Sequence, residues 1–171
     1  FKQNASCRAF YQYAKEHLPR YSKVLLAMRW GNQMPENSNS VSYDADFFKK
    51  FDTMLQTLSS EKQIVYLMTD NQTLSYNALR AYMLSSRIPG YNQNLHSDDE
   101  ATTKGNIRIR ELAAKYPNVH IIDAAAYIPE NFKINELPVY SDKDHINPYG
   151  GIELAKLFSE ENKLLDTHHS H

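Results

Sequence analysis

Several features that would point directly to a function are scarce in this sequence. It has one cysteine, Cys7, which cannot form an internal disulfide and says little about the redox compartment. Apolar runs such as Val24 to Met28 are far shorter than the roughly 20 residues that cross a bilayer. A basic block is also missing, because 19 lysines and arginines are balanced by 20 aspartates and glutamates. The sequence therefore predicts no membrane-spanning segment, and we set nucleic-acid binding aside.

Length and composition predict one folded domain. With 171 residues, of which 42% are hydrophobic, the chain can bury a sizeable core. We expect a single α/β domain over residues 1–166 and a disordered, histidine-rich tail over residues 167–171. Metal binding by His168, His169 and His171 is conceivable, but a disordered tail is the commoner explanation of such an end.

Helix-period and strand-like stretches alternate along the chain. Short apolar runs predict three buried strands, over residues 23–30, 63–70 and 119–125. Apolar residues at helical spacing predict the intervening helices, over residues 5–17, 47–58, 78–84, 99–116 and 148–160. In the last of these, Ile152, Ala155 and Phe158 are expected to face inward. This alternation predicts an α/β architecture with a mostly parallel sheet, in which function gathers at the carboxyl ends of the strands.

The stretch YSDKDHINPYGG (140–151) carries the clearest chemistry. Asn147 followed by Pro148 predicts a helix start, since asparagine is a good N-cap and proline favours the first helical position. Asp142 precedes His145 by three residues, a spacing that lets its carboxylate reach the imidazole Nδ1–H and fix the tautomer of a general base. We expect Asp144 to point elsewhere. An ordinary loop histidine with solvated acids is the alternative, and no further cluster at ligand spacing supports a metal.

The position of this D-x-x-H motif, just before the final helix of an α/β domain, resembles the SGNH hydrolase superfamily. The closer similarity is to the SGNH domains of membrane-linked O-acyltransferases that modify bacterial surface polysaccharides. It rests on the block from Tyr140 to Asn147, on KYPNVHIIDAAAYI (115–128) and on KVLLAMRW (23–30). The resemblance implies a flavodoxin-like three-layer sandwich, incomplete at its N-terminal side, with Asp142 and His145 as the acid and base of a Ser-His-Asp triad.

The same resemblance suggests residues for the rest of the pocket. Asn32 would lie near the superfamily's oxyanion-hole asparagine, although the usual G-x-N-D pattern reads Gly31-Asn32-Gln33 here. Trp30 and Arg29 are further candidates for shaping the pocket. A strand-end aromatic and a surface cation are the equally open alternative for these two side chains.

The nucleophile of such a triad is absent from the sequence. It contains no Gly-Asp-Ser block and no G-x-S-x-G turn. Ser75 lacks the neighbouring glycines of a nucleophile turn, and Ser97 has His96 and Asp98 as immediate neighbours, so we interpret both serines as loop residues. We therefore expect the serine-bearing segment to lie upstream of Phe1.

Taken with the resemblance, the sequence predicts an O-acyltransferase. The expected reaction is acyl transfer, with acetyl the expected group, to a hydroxyl of a cell-surface glycan. An SGNH carbohydrate esterase and a non-catalytic glycan-binding or interaction module are the alternatives. The resemblance further implies an extracytoplasmic location, membrane tethering through an adjacent integral membrane acyltransferase domain, and no cofactor or metal.

Overall fold

The structure is a computed structural model that describes residue 13 and residues 16–39, 43–61, 63–97 and 99–162. Most of the helix predicted over residues 5–17, including Cys7, and the histidine-rich tail lie outside the described residues. The chain divides into two compact units. The first unit takes its described residues from Phe1–Asp70 and Glu100–Asp123, and the second from Asn71–Asp99 and Ala124–His171. The expectation of a single domain over residues 1–166 stays a prediction.

The first unit is built on a three-stranded parallel sheet. Its strands lie in the order β1-β2-β3, with bounds Lys23–Leu26 (β1), Ile64–Met68 (β2) and Val119–Ile122 (β3). Val24, Val65 and Val119 stand side by side in the register. Parallel strands separated by helices confirm the predicted α/β class with its parallel sheet.

Helices follow the predicted alternation. The described α-helices of at least one full turn are Phe47–Ser60 (α1), Ala78–Ser85 (α2), Glu100–Ala113 (α3) and Pro148–Asn162 (α4). Helices α1 and α3 belong to the first unit, where their apolar faces form one buried cluster with Val65 and Leu67 of β2. None of the helices in the described ranges is long and apolar enough to cross a membrane.

The strand predicted over residues 23–30 is half as long as expected. It ends at Leu26, and Trp30 begins a short 3-10 helix, Trp30–Gln33. This segment packs directly on α3, because a side chain at Gly105 would meet the nitrogen of Gly31 and the carbonyl carbon of Trp30 at 2.8 Å. Burial in the core thus continues past the strand, which is why the apolar run overestimates its length.

The second unit has a smaller core. A two-stranded antiparallel hairpin, Lys133–Ile134 (β4) and Leu137–Pro138 (β5), packs near a buried cluster of Leu74, Ala78, Val139 and Tyr140. The sequence pattern does not predict this hairpin, since each strand has only two residues. Its turn places Asn135 and Glu136 at positive φ, where non-glycine residues are uncommon.

Helix α4 begins where the sequence predicts, but not all of the residues predicted to face inward do so. The side chain of Asn147 accepts a hydrogen bond from the Gly150 N–H at 2.7 Å, as an N-cap does. A side chain at Gly150 would meet the Cα of Val139 at 2.8 Å, so the glycine lets the helix lie against that strand end. Phe158 is half-buried, but the prediction that Ile152 and Ala155 face inward is wrong, since Ile152 is 58% exposed.

Candidate active site

Asp142 and His145 are held together in one tight turn of the second unit. Nδ1 of His145 lies 2.9 Å from Oδ2 of Asp142 and 3.2 Å from Oδ1. An isolated bridge between Tyr140 and Ile146 closes the turn, and the Ser141 N–H donates to the carbonyl of His145 at 2.8 Å. The imidazole itself is 73% exposed, so the ring is oriented by this contact and not by packing.

The turn also stabilises the ionised form of Asp142. Its Oδ1 accepts hydrogen bonds from the backbone N–H groups of Asp144 and His145, each at 2.9 Å. These two donors, followed by the His145 side chain, hold the pKa of the Asp142 carboxyl well below its usual range. Asp142 is therefore a carboxylate at neutral pH, with one oxygen fixed by the backbone and the other facing the imidazole.

Asp144 does not point away from the histidine as expected. Its Oδ1 lies 3.1 Å from Nδ1 of His145. The prediction was wrong because the tight turn brings both carboxylates to the same ring nitrogen. Asp142 also accepts two backbone N–H groups within the turn.

The three side chains form the one group among the described residues that could hold a metal ion. Asp142, Asp144 and His145 each offer a ligand atom, and these atoms lie within 4.8 Å of one another. The sequence showed this cluster only as two acids near a histidine. Carboxylate and imidazole are common metal ligands, but exposed acidic groups of this kind also occur without an ion.

A segment after β2 holds the turn in place through its backbone. The N–H of Leu74 donates to the carbonyl of Lys143 at 2.7 Å, and the N–H of Ala78 donates to that of Asp142 at 3.0 Å. The Asn71 side chain donates to the carbonyl of Asp144 at 2.8 Å. We call residues 71–78 the support segment. The sequence marked its start as a strand-end loop, but nothing in the residue types indicated that it carries this turn.

The other three predicted pocket residues belong to the first unit. Trp30 is fully buried, and its indole N–H donates to the carbonyl of Met68 at 2.8 Å, so its ring is part of the core. Asn32 is half-buried, and its backbone N–H donates to the carbonyl of Arg29. The expected roles of Trp30 and Asn32 in a pocket stay predictions.

Arg29 lies at the carboxyl end of the sheet beside a buried acid. Its Nε is 3.1 Å from Oδ2 of Asp70, whose side chain is almost completely buried. Asn106 of α3 holds Asp70 in turn, exchanging hydrogen bonds with its backbone N–H and carbonyl at 2.8 Å. Arg29 is thus paired with a buried acid, and its expected role in shaping a pocket stays a prediction.

Ser75 and Ser97 have loop contacts, in keeping with their interpretation as loop residues. The Ser97 hydroxyl donates to the carbonyl of Thr73 at 2.6 Å, and the Ser75 hydroxyl accepts a hydrogen bond from the His96 N–H at 3.3 Å. Neither contact involves His145.

Fold and turn together define a parallel α/β protein with an Asp-x-x-His turn immediately before its last helix. The family described as "SGNH domain (fused to AT3 domains)" matches residues 1–160. The chain belongs to this family, which confirms the resemblance seen in the sequence. The family associates SGNH domains of the esterase and acyltransferase type with AT3 acyltransferase domains. No curated protein matches the chain.

Proposed function

We propose that this protein takes part in O-acyl transfer, in which an acyl group, preferably acetyl, is passed to a hydroxyl of a cell-surface glycan. His145 is the general base and acid, and Asp142 orients it. The observation that carries the proposal is the 2.9 Å contact between Nδ1 of His145 and a carboxylate whose other oxygen is fixed by two backbone N–H groups. A carboxylate on Nδ1 directs the opposite nitrogen, Nε2, to work as the base.

In this proposal the nucleophile is a serine from outside the 171 residues, because the sequence has no Gly-Asp-Ser block. Nε2 of His145 takes the proton of the serine hydroxyl as the oxygen attacks the acyl donor, and then gives it to the leaving group. The acyl-serine is next attacked by a glycan hydroxyl, whose proton passes to Nε2 and back to the serine. Asp142 supports the imidazolium at each step.

The location and the partner domain are part of the same proposal. Fusion of family members to AT3 acyltransferase domains favours a membrane-linked partner domain that supplies the acyl group. The proposal places the transfer on the extracytoplasmic side. From the family resemblance, Asn32 stays the candidate oxyanion-hole donor, and Trp30 and Arg29 stay candidates for shaping a substrate pocket.

The test is an acyl-transfer assay on two proteins. The 171-residue chain alone is expected to release no p-nitrophenol from p-nitrophenyl acetate above a heat-killed control. The longer protein with its upstream segment is expected to be active, and His145→Ala should lower its kcat/KM by at least ~10²-fold, as removal of a general base does.

His120→Ala is the matched control. His120 is an exposed histidine on β3, in the first unit, and its removal should leave the rate within about twofold. Activity of the longer protein that is insensitive to His145→Ala would refute the assignment. Release of acetate to water without transfer to any glycan would refute the transferase part alone.

A further inference from the structure

A groove lies next to the Asp142–His145 turn, within the second unit. It has a volume of about 330 Å³ and is formed by one side of α2 and the residues just beyond it. Ser141, which directly precedes Asp142, lines the same groove. The Ser141 hydroxyl donates to the carbonyl of His145 at 3.1 Å. A molecule in this groove would therefore contact the loop that carries the proposed base.

Two arginines in the groove have no carboxylate partner among the residues that the structure describes. Arg80 and Arg87 are both exposed and both line the groove. Across the described ranges, neither guanidinium forms an ion pair, whereas Arg29, Arg108 and Arg110 each contact an acid. Arg80 lies on α2, and Arg87 follows two residues after the helix ends at Ser85. The groove thus offers two cations, one on the helix and one just beyond it.

Apolar side chains line the same groove as the two arginines. Leu79 and Met83 of α2 line the groove and are 39% and 43% exposed. Large apolar side chains exposed in a concave surface are typical of a binding site. Apolar C–H faces and charged substituents alternate along acidic sugar chains, so the groove matches both features of such a ligand.

We propose that this groove binds the acceptor of the reaction, and that the acceptor is a saccharide chain carrying anionic groups, either carboxylate or phosphate. The inference rests on the proposed function and names its substrate class. Arg80 and Arg87 pair with anionic groups of this chain, while Leu79 and Met83 contact the sugar rings. The chain is thereby held beside the turn of His145, where one of its hydroxyls reaches the acyl group.

Binding is tested separately from turnover, in the His145→Ala background of the longer protein. The probes are tetragalacturonate for carboxylate, phosphorylated dextran for phosphate, and neutral dextran, each titrated calorimetrically at low salt and in 0.5 M NaCl. At least one acidic probe should bind at low salt, neutral dextran should not, and 0.5 M NaCl should weaken binding. The probe that binds identifies the anionic group.

Charge-neutral variants decide whether the groove is responsible. Arg80→Gln together with Arg87→Gln should weaken binding of the acidic probe by at least about tenfold, since two charge-assisted contacts are lost. Arg20→Gln, which removes an exposed arginine of the first unit, should leave binding unchanged. Met83→Glu adds a negative charge to the groove and should weaken binding as well. This second variant keeps the test decisive if the double variant misfolds.

Three outcomes would overturn the inference while leaving the proposed acyl transfer intact. One is equal binding of neutral and acidic dextran, and another is binding that both groove variants leave unchanged. The third is arginine-dependent binding to phosphatidylglycerol vesicles with no binding to any saccharide, which would make the groove a membrane-contact surface. Conversely, groove-dependent binding without any His145-dependent turnover would contradict the proposed function alone.

Discussion

Replacing Asp142 by asparagine separates the two tasks of this carboxylate. The amide oxygen of asparagine can still accept the N–H groups of Asp144 and His145, which Oδ1 accepts at 2.9 Å in the native turn. The second oxygen, 2.9 Å from Nδ1 of His145, becomes an NH₂ group. Since NH₂ is only a donor, it favours the tautomer in which Nδ1 accepts and Nε2 carries the proton. That tautomer cannot work as a base through Nε2.

The expected loss in kcat is about 10²- to 10³-fold. A buried triad loses about 10⁴-fold on this change, but the imidazole here is 73% exposed, so water can partly restore the productive tautomer. The assay is initial-rate release of p-nitrophenol by the longer protein, with circular dichroism to verify that the turn variant stays folded.

Asp144→Asn is the matched comparison, because Asp144 also lies 3.1 Å from Nδ1, whereas the two backbone N–H groups of the turn donate to Asp142. The Asp144 side chain is 31% exposed, and a partly solvated charge that does not organise the turn contributes little, so we expect a loss of at most about threefold. If Asp144→Asn is as damaging as Asp142→Asn, or if Asp142→Asn keeps activity within threefold, Asp142 is not the orienting acid.

Three further predictions concern stability and metal. Gly150→Ala should destabilise the protein by about 1–3 kcal/mol in urea titrations, because the new Cβ meets Val139. Gly151→Ala adds a Cβ with nothing within 4 Å, so it should be neutral or stabilising by up to ~1 kcal/mol. Equal effects of the two substitutions would contradict this packing. Because the pKa of Asp142 is lowered from 3.8, its stabilising effect is complete above that pH and is lost as pH falls further. In thermal melts, the difference in Tm between the native protein and Asp142→Asn should therefore shrink only below about pH 4. A difference that already shrinks near neutral pH would contradict this role of Asp142. Excess EDTA should leave esterase activity unchanged. A loss of activity that Zn²⁺ restores would instead favour a metal site at Asp142, Asp144 and His145.

Much of the fold could be predicted because its signals are local. Three apolar runs separated by helix-period stretches predicted the parallel sheet, and Asn147-Pro148 predicted the start of α4 to the residue. The strand over residues 23–30 was overestimated because Trp30 is buried by a close approach of two glycines far apart in sequence. The inward face of α4 was missed for a similar reason, since Gly150, which carries no side chain, lies against Val139.

The candidate site was predictable only in part. The three-residue spacing correctly indicated that the Asp142 carboxylate can reach the His145 ring, whereas the position of Asp144 depends on the exact path of the turn. The support segment could not be predicted, because most of its contacts use backbone groups that every residue type carries. The groove arginines were missed because pairing and exposure are properties of the folded chain.

Backbone support of the turn has a consequence for how the sequence can vary. Lys143, the first variable position of the D-x-x-H motif, contributes its carbonyl to the N–H of Leu74, while its own side chain is exposed. Any residue that accepts the same backbone angles can therefore replace it. Asn71, by contrast, acts through its side chain on the carbonyl of Asp144. Natural variants should accordingly tolerate change inside the motif more readily than at this distant asparagine.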